Sequence, residues 1–138
     1  MHTVEELRNS SARAKILIAD DLAEWRARVR GILRGRPEWQ IIGEACDGLQ
    51  VVQKASELRP DLVLLDIGMP VMNGFHAAVK LREAAHVPKI VFLTQDNDPE
   101  LRSAALTIGA EGYVLKTNAA TELLSAISTA LRNGLRTN

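Results

Sequence analysis

Four segments of the chain end on side chains that can do chemistry. Asp20 and Asp21 close the run Lys15 to Ala19 (KILIA), and Asp66 closes Leu62 to Leu65 (LVLL). Lys89 to Thr94 (KIVFLT) ends on its own threonine, and Lys116 follows Gly112 to Leu115 (GYVL). Three carboxylates gathered at one place repel each other, so they either take up protons or hold a cation. The donors are hard oxygens with no His or Cys close in sequence. That suits Mg²⁺, which keeps several waters and often completes its shell with a substrate phosphate. A carboxylate beside such an ion can act as a nucleophile and become an aspartyl phosphate. Lys116 offers a compact positive charge to the phosphoryl oxygens, and Thr94 offers a hydroxyl. Asp66 stands out among the acids because Gly68, Pro70 and Gly74 follow at once and set it at the mouth of a tight loop. Each residue also has a plainer reading. A strand-terminal Asp can simply cap the next helix, and a lysine after a strand is usually solvated. The conjunction of acids, hydroxyl and lysine carries the chemical reading.

These residues act together only if the chain brings them to one rim. The apolar runs they close have no polar alternation, the pattern of strands buried on both faces of a parallel sheet. Gln40 to Ala45 (QIIGEA) adds another strand. Between the strands lie helical segments. The first carries Leu22, Trp25, Val29, Ile32 and Leu33 inward and Arg26, Arg30 and Arg34 on a second stripe, and it ends near Gly35-Arg36-Pro37. A second follows Asp47-Gly48 to about Leu58. A third is capped by Asn73 and runs to about Ala85. A fourth starts at Asp98-Pro99, places Leu101, Ala104, Ala105 and Ile108 on one face, and stops at Gly109. The last runs from about Ala119 to Arg132, with Leu124, Ile127 and Leu131 inward and Asn133-Gly134 as its end. Strand and helix alternation predicts a doubly wound five-stranded parallel sheet with five helices and right-handed crossovers. Only the second strand lacks a reactive end, which places it on the edge and predicts the order 2-1-3-4-5. Asp20, Asp21 and Asp66 then meet at the switch point between strands one and three, where such sheets bind ligands.

The 138 residues are enough for one domain. Residues 1–14 read as a flexible polar extension, 15–134 as the domain, and 135–138 as a tail or the start of a linker. Seventeen basic residues balance seventeen acidic ones, so the composition argues against a whole-surface attraction for nucleic acid or anionic membrane. A single cysteine, Cys46, excludes an internal disulfide and fits a reducing compartment. No apolar stretch approaches a membrane span, and the N-terminal segment lacks the core of a secretion signal, which predicts a cytoplasmic protein.

The ordered set IADD (Ile18 to Asp21), LLDIGMPVMNG (Leu64 to Gly74), FLT (Phe92 to Thr94) and GYVLK (Gly112 to Lys116) resembles the receiver domain of bacterial two-component response regulators. The likeness spans about residues 15 to 132. It implies a flavodoxin-like (CheY-like) fold that is phosphorylated by a sensor histidine kinase and switches conformation to control an output, without being an enzyme. By matching motifs, Asp66 is the phosphoacceptor, and Asp21, Asp66 and the Gly68 carbonyl bind Mg²⁺, with Asp20 acting mainly through water. Thr94 and Tyr113 form the switch pair, and Lys116 binds the phosphoryl group. The DIGMPVMNG loop with Lys-Thr-Asn resembles the subfamily whose receivers precede a LuxR/NarL-type helix-turn-helix. That implies a phosphorylation-dependent homodimer, and DNA contact only through an output domain absent from this chain. Three positions depart from the common pattern. Gly68 has no side chain to steer water, Gln95 follows the switch threonine where a small residue is usual, and Thr117 stands where proline, often in a cis peptide, is common.

Other readings stay open at this stage. Haloacid-dehalogenase-like phosphatases also use a strand-terminal Asp with Mg²⁺, but their second acid falls at Gly68. A flavin or nucleotide module of this topology lacks support, because two acids replace the glycine-rich phosphate loop after strand one. A degenerate receiver working by protein contacts alone is the third. The arginine stripe reads as a solvated face more readily than a kinase dock. Trp25 reads as core near enough to the site to report metal binding, and His2, His76 and His86 are scattered.

Overall fold

The computed structural model describes residues 13–136. Strands β1 (Ala14–Ala19), β2 (Trp39–Ala45), β3 (Leu62–Leu65), β4 (Lys89–Thr94) and β5 (Gly112–Leu115) alternate with helices α1 (Ala23–Leu33), α2 (Gly48–Leu58), α3 (Gly74–Arg82), α4 (Pro99–Thr107) and α5 (Ala119–Arg136), and a 3₁₀ turn (Lys116–Asn118) joins β5 to α5. The sheet order is β2-β1-β3-β4-β5, all parallel. The order expected from the strand ends is therefore the observed one. Every residue of β3 is at most 1% exposed, as its uninterrupted apolar run requires of a strand covered on both faces. Leu17, Val63, Leu65, Ile90 and Phe92 pack beneath α2, α3 and α4 on one side. Ile16, Ile18, Leu64, Val91 and Leu93 meet Val29, Leu123 and Ile127 of α1 and α5 on the other.

Local signals set the helix starts. Asp47 accepts from the Gln50 N–H at 2.8 Å, Asn73 from His76 at 2.9 Å and Asp98 from Glu100 at 2.9 Å, each satisfying a donor the first turn leaves free. Gly74 is required by close approach, since a Cβ there would collide with the Asp66 carbonyl oxygen and pull α3 off the end of β3. Gly109 leaves α4 at φ +98°, a conformation that L side chains rarely adopt.

The structure corrects several boundaries and faces. Ala14 already pairs with Trp39, so β1 reaches into the stretch expected to be an extension; residues 1–12 lie outside the described part. Leu22 is 42% exposed instead of inward, because it is the residue that enters α1 and its N–H is tied to the Asp20 carboxylate at 2.9 Å. α3 stops at Arg82, short of Ala85, as the chain must turn before Pro88 and β4. On α4 only Ala105 is fully buried and Ala104 is exposed, so its inner face runs along Leu101, Ala105 and Ile108. α5 buries Leu123, Ile127 and Ala130, leaves Leu124 and Leu131 half-buried, and continues through Asn133 and Gly134 to Arg136. One glycine costs a helix about 1 kcal/mol and does not by itself end it.

Candidate functional site

Strand register brings the predicted residues together. Ala19 lies opposite Leu65, so Asp20 and Asp66 leave neighbouring strands side by side, and the Asp66 N–H donates to the Ala19 carbonyl at 3.0 Å. Thr94 pairs with Leu115, which places the hydroxyl next to the start of the Lys116 turn. Asp20, Asp21 and Asp66 each offer an oxygen within 4.8 Å of the others. The Lys116 ammonium donates to Asp20 Oδ2 at 2.7 Å and to Asp66 Oδ2 at 3.2 Å. Asp66 Oδ1 accepts the Ile67 N–H at 2.8 Å. Asp21, Asp66, Gly68, Thr94, Gln95 and Lys116 line a cavity of about 230 Å³. A Cβ on Gly68 would meet nothing within 4 Å, so the space in front of Asp66 is open on that side.

Among the described residues, the charged or polar side chains that are buried are Asp20, Asp66, Thr94 and Lys116. Burying a charge is costly unless it is paired. The fold concentrates that cost at one rim. Burial, reinforced by the nearby Asp66 charge, pushes the Asp20 carboxyl above its ordinary range against the opposing hydrogen bonds from Lys116 and Leu22. The donor set fits a small hard cation, with three carboxylates converging, one of them exposed, and only one ammonium to offset them.

Tyr113 is buried in the adjoining core, and its hydroxyl donates to the Asp96 carbonyl at 2.8 Å. The Asp96 N–H in turn donates to Thr94 Oγ1 at 3.3 Å. The two backbone groups of Asp96 therefore connect the two side chains. Burial raises the Tyr113 phenol above its usual value, so it remains a donor at neutral pH. Gln95 lines the cavity mouth, as its position after Thr94 requires. Among the described residues there is no cis peptide bond, Lys116-Thr117 included.

One contributor was not anticipated as such. Arg26, expected on a solvated stripe, donates through Nη1 to the Asp20 carbonyl at 2.7 Å and pairs through Nε with Glu44 at 2.8 Å, while Arg30 also pairs with Glu44. The hydrogen bond from Arg30 is the main reason the Glu44 carboxyl lies below its ordinary value. This bridge ties α1 and the acidic loop to the edge strand. Of the stripe, only Arg34 keeps the expected exposure without such a tie among the described residues. The i, i+4 spacing of the arginines was visible in the sequence, but their acid lies on another strand. His86 Nε2 lies 2.7 Å from the Pro60 carbonyl and takes no part in the rim.

Fold and rim together define a CheY-like α/β domain with an acidic pocket at the switch point. The response regulator receiver domain family matches residues 16–128. The chain is 39% identical over 117 residues to the nitrate/nitrite response regulator protein NarL of Escherichia coli (strain K12), covering 85% of this chain and 54% of that protein. It spans about half the length of the curated relatives it matches first. Its structure resembles a LuxR-family two-component response regulator from Aurantimonas sp. SI85-9A1 (TM-score 0.82, 28% identity, 87% of this chain and 86% of that one). It also resembles the isolated REC domain of RcsB from Salmonella enterica serovar Typhimurium, solved with phosphomimetic BeF₃⁻ (TM-score 0.79, 26% identity, 84% and 86%). The chain belongs to the receiver-domain family of two-component response regulators, and relatives of the NarL/LuxR type stand among its matches. No helix among the described residues is long and apolar enough to cross a membrane.

Proposed function

We propose that Asp66 accepts a phosphoryl group from a sensor histidine kinase in a Mg²⁺-dependent step and holds it as a conformational signal. The observation that carries this reading is the burial of Asp66, Thr94 and Lys116 together at one cavity, with buried Asp20 paired to the same lysine, where a purely structural rim would gain nothing from their desolvation. Asp21, Asp66 and the Gly68 carbonyl would hold the ion, with Asp20 acting mainly through water. When bound, it offsets negative charge on the carboxylates and the incoming phosphoryl oxygens. Asp66 attacks phosphorus, a P–O bond forms and the P–N bond to the donor histidine breaks. Lys116, already held against Asp66, turns its charge to the phosphoryl oxygens. Thr94 supplies a hydroxyl donor at the same group.

The switch follows from the Asp96 connection. Drawing the Thr94 hydroxyl toward a phosphoryl group weakens its bond to the Asp96 N–H, and Asp96 also anchors the Tyr113 hydroxyl. Phosphorylation thus biases Tyr113 and the lightly held α4 toward a second arrangement. In keeping with the NarL/LuxR relatives, that face would mediate a phosphorylation-dependent homodimer, with DNA reached only through an output domain. The missing second acid at Gly68 favours holding the phosphoryl group over turnover.

The fate of a small donor tests this. With acetyl phosphate and Mg²⁺, one phosphoryl group per chain accumulates and donor loss then slows to the rate of adduct hydrolysis. Steady donor consumption without adduct would instead mean a phosphatase. Neither adduct nor consumption would mean a receiver working by contacts alone.

A further inference from the structure

We infer that Trp25 is a positioning residue for Lys116, its indole face holding the ammonium at the acid cluster; this rests on the reading of Asp66 as phosphoacceptor. Lys116 Nζ lies 5.0 Å from the Trp25 ring centroid. An ammonium has three donors and no acceptor. Asp20 and Asp66 take two of the bonds. The aromatic face is a further partner for a cation that is only 4% exposed. A cation over an indole is attracted by the ring quadrupole, more strongly as water is excluded.

Trp25 is well placed for this task. It sits in the first turn of α1, four residues after Asp21, with its backbone N–H donating to the Leu22 carbonyl at 3.0 Å. The next residue, Arg26, ties that turn to the Asp20 carbonyl and to Glu44. Arg28 lies 4.9 Å from the same ring centroid, so two cations neighbour one indole. The chemistry explains why an aromatic suits the position better than another acid. Once the carboxylates engage a divalent ion and Asp66 carries a phosphoryl group, their hold on Lys116 weakens. A third carboxylate beside Lys116 would compete for the metal and repel the phosphoryl oxygens. The indole attracts the ammonium without carrying negative charge. It therefore keeps Lys116 in place through the transfer.

The test compares the wild-type chain with Trp25→Phe and Trp25→Leu. Two quantities are read, the rate of Asp66 phosphorylation by acetyl phosphate at saturating Mg²⁺ and the NMR shifts of the Lys116 side-chain methylenes. Trp25→Leu slows phosphorylation by about tenfold to thirtyfold, the range a partly desolvated cation–π contact allows. Trp25→Phe, which keeps a π face, recovers most of the loss. The Lys116 methylenes resonate upfield in the wild type through the ring current, and Trp25→Leu abolishes that shift. A merely structural Trp25 would not be rescued by Phe in step with the Lys116 shift. Equal rates in all three proteins overturn the inference, as does a Leu defect that Phe fails to repair. If Trp25→Leu does not fold, the wild-type and Phe proteins decide, because absence of the upfield shift in the wild type overturns the inference whatever the rates. Should the wild type take no phosphoryl group while the shift is present, the reading of Asp66 fails and the Trp25 contact stands.

Discussion

Mg²⁺ should stabilise this domain through the acidic rim, by an amount that follows from the charges there. Three carboxylates converge against one ammonium, which leaves about two uncompensated negative charges when no cation is bound. Their repulsion is relieved only in the folded state, since the unfolded chain scatters Asp20, Asp21 and Asp66. A ligand that binds only the folded form adds RT ln(1 + [L]/Kd), which is about 2.7 kcal/mol at a hundredfold excess over Kd. For a domain of this size that is a rise of roughly 10 °C in Tm. Asp21→Asn keeps an oxygen donor but removes a charge, and a tenfold weaker affinity at the same Mg²⁺ cuts the gain to about 1.4 kcal/mol. The assay is thermal unfolding followed by circular dichroism, first in chelator and then across a Mg²⁺ series at constant ionic strength, so that general screening does not contribute. A flat Tm in the wild type would refute the reasoning. So would an equal rise in Asp21→Asn and Asp66→Asn, because stabilisation would then come from somewhere other than the rim.

Three further outcomes are expected. Because burial holds the Asp20 carboxyl above its ordinary range, the metal-free fold binds a proton there more readily than the unfolded chain does, and stability declines as pH rises from the ordinary carboxylate value through the raised one. Asp20→Asn should therefore raise metal-free stability at neutral pH, by an amount on the order of 1 kcal/mol, while reducing the Mg²⁺-dependent gain; unfolding in denaturant with and without the ion checks both signs. Glu44 is the opposite case, held below the ordinary glutamate value chiefly by the Arg30 hydrogen bond, so its contribution is present above that ordinary value and is lost as pH falls through the depressed one. Glu44→Gln should cost up to about 1 kcal/mol at neutral pH and flatten the acid limb of the stability curve in an acid titration. Gly74→Ala, which drives a Cβ into the Asp66 carbonyl, should destabilise by about 3 kcal/mol or more, whereas Gly68→Ala, with open space around it, should stay within about 0.5 kcal/mol of wild type in the same denaturant assay.

The legible part of the molecule was the part written in local pattern. Apolar runs closed by Asp20, Asp66, Thr94 and Lys116 located the strands, and the unreactive end of the second strand placed it on the edge, as observed. Asn73 and Asp98 marked helix starts that the structure reproduces. What stayed hidden depended on partners distant in sequence. The spacing of Arg26 and Arg30 is the same whether they face water or Glu44, and only the packing of α1 against the β2 edge decides it. Leu22 looked like the first inward residue of α1, yet the Asp20 carboxylate captures its N–H and turns its side chain out. Asn133-Gly134 carried a stop signal that the continuing α5 overrides. The proximity of Trp25 to the rim was expected, whereas its contact with Lys116 joins residues far apart in sequence, one in the first turn of α1 and one just after the edge strand β5.

Intact mass after incubation with acetyl phosphate and Mg²⁺, followed by peptide mapping, tests the central claim most directly. One added phosphoryl group is expected, located on Asp66, absent from Asp66→Asn and absent when the metal is chelated. A phosphoryl group on another residue, or one that forms equally well without Mg²⁺, would contradict it.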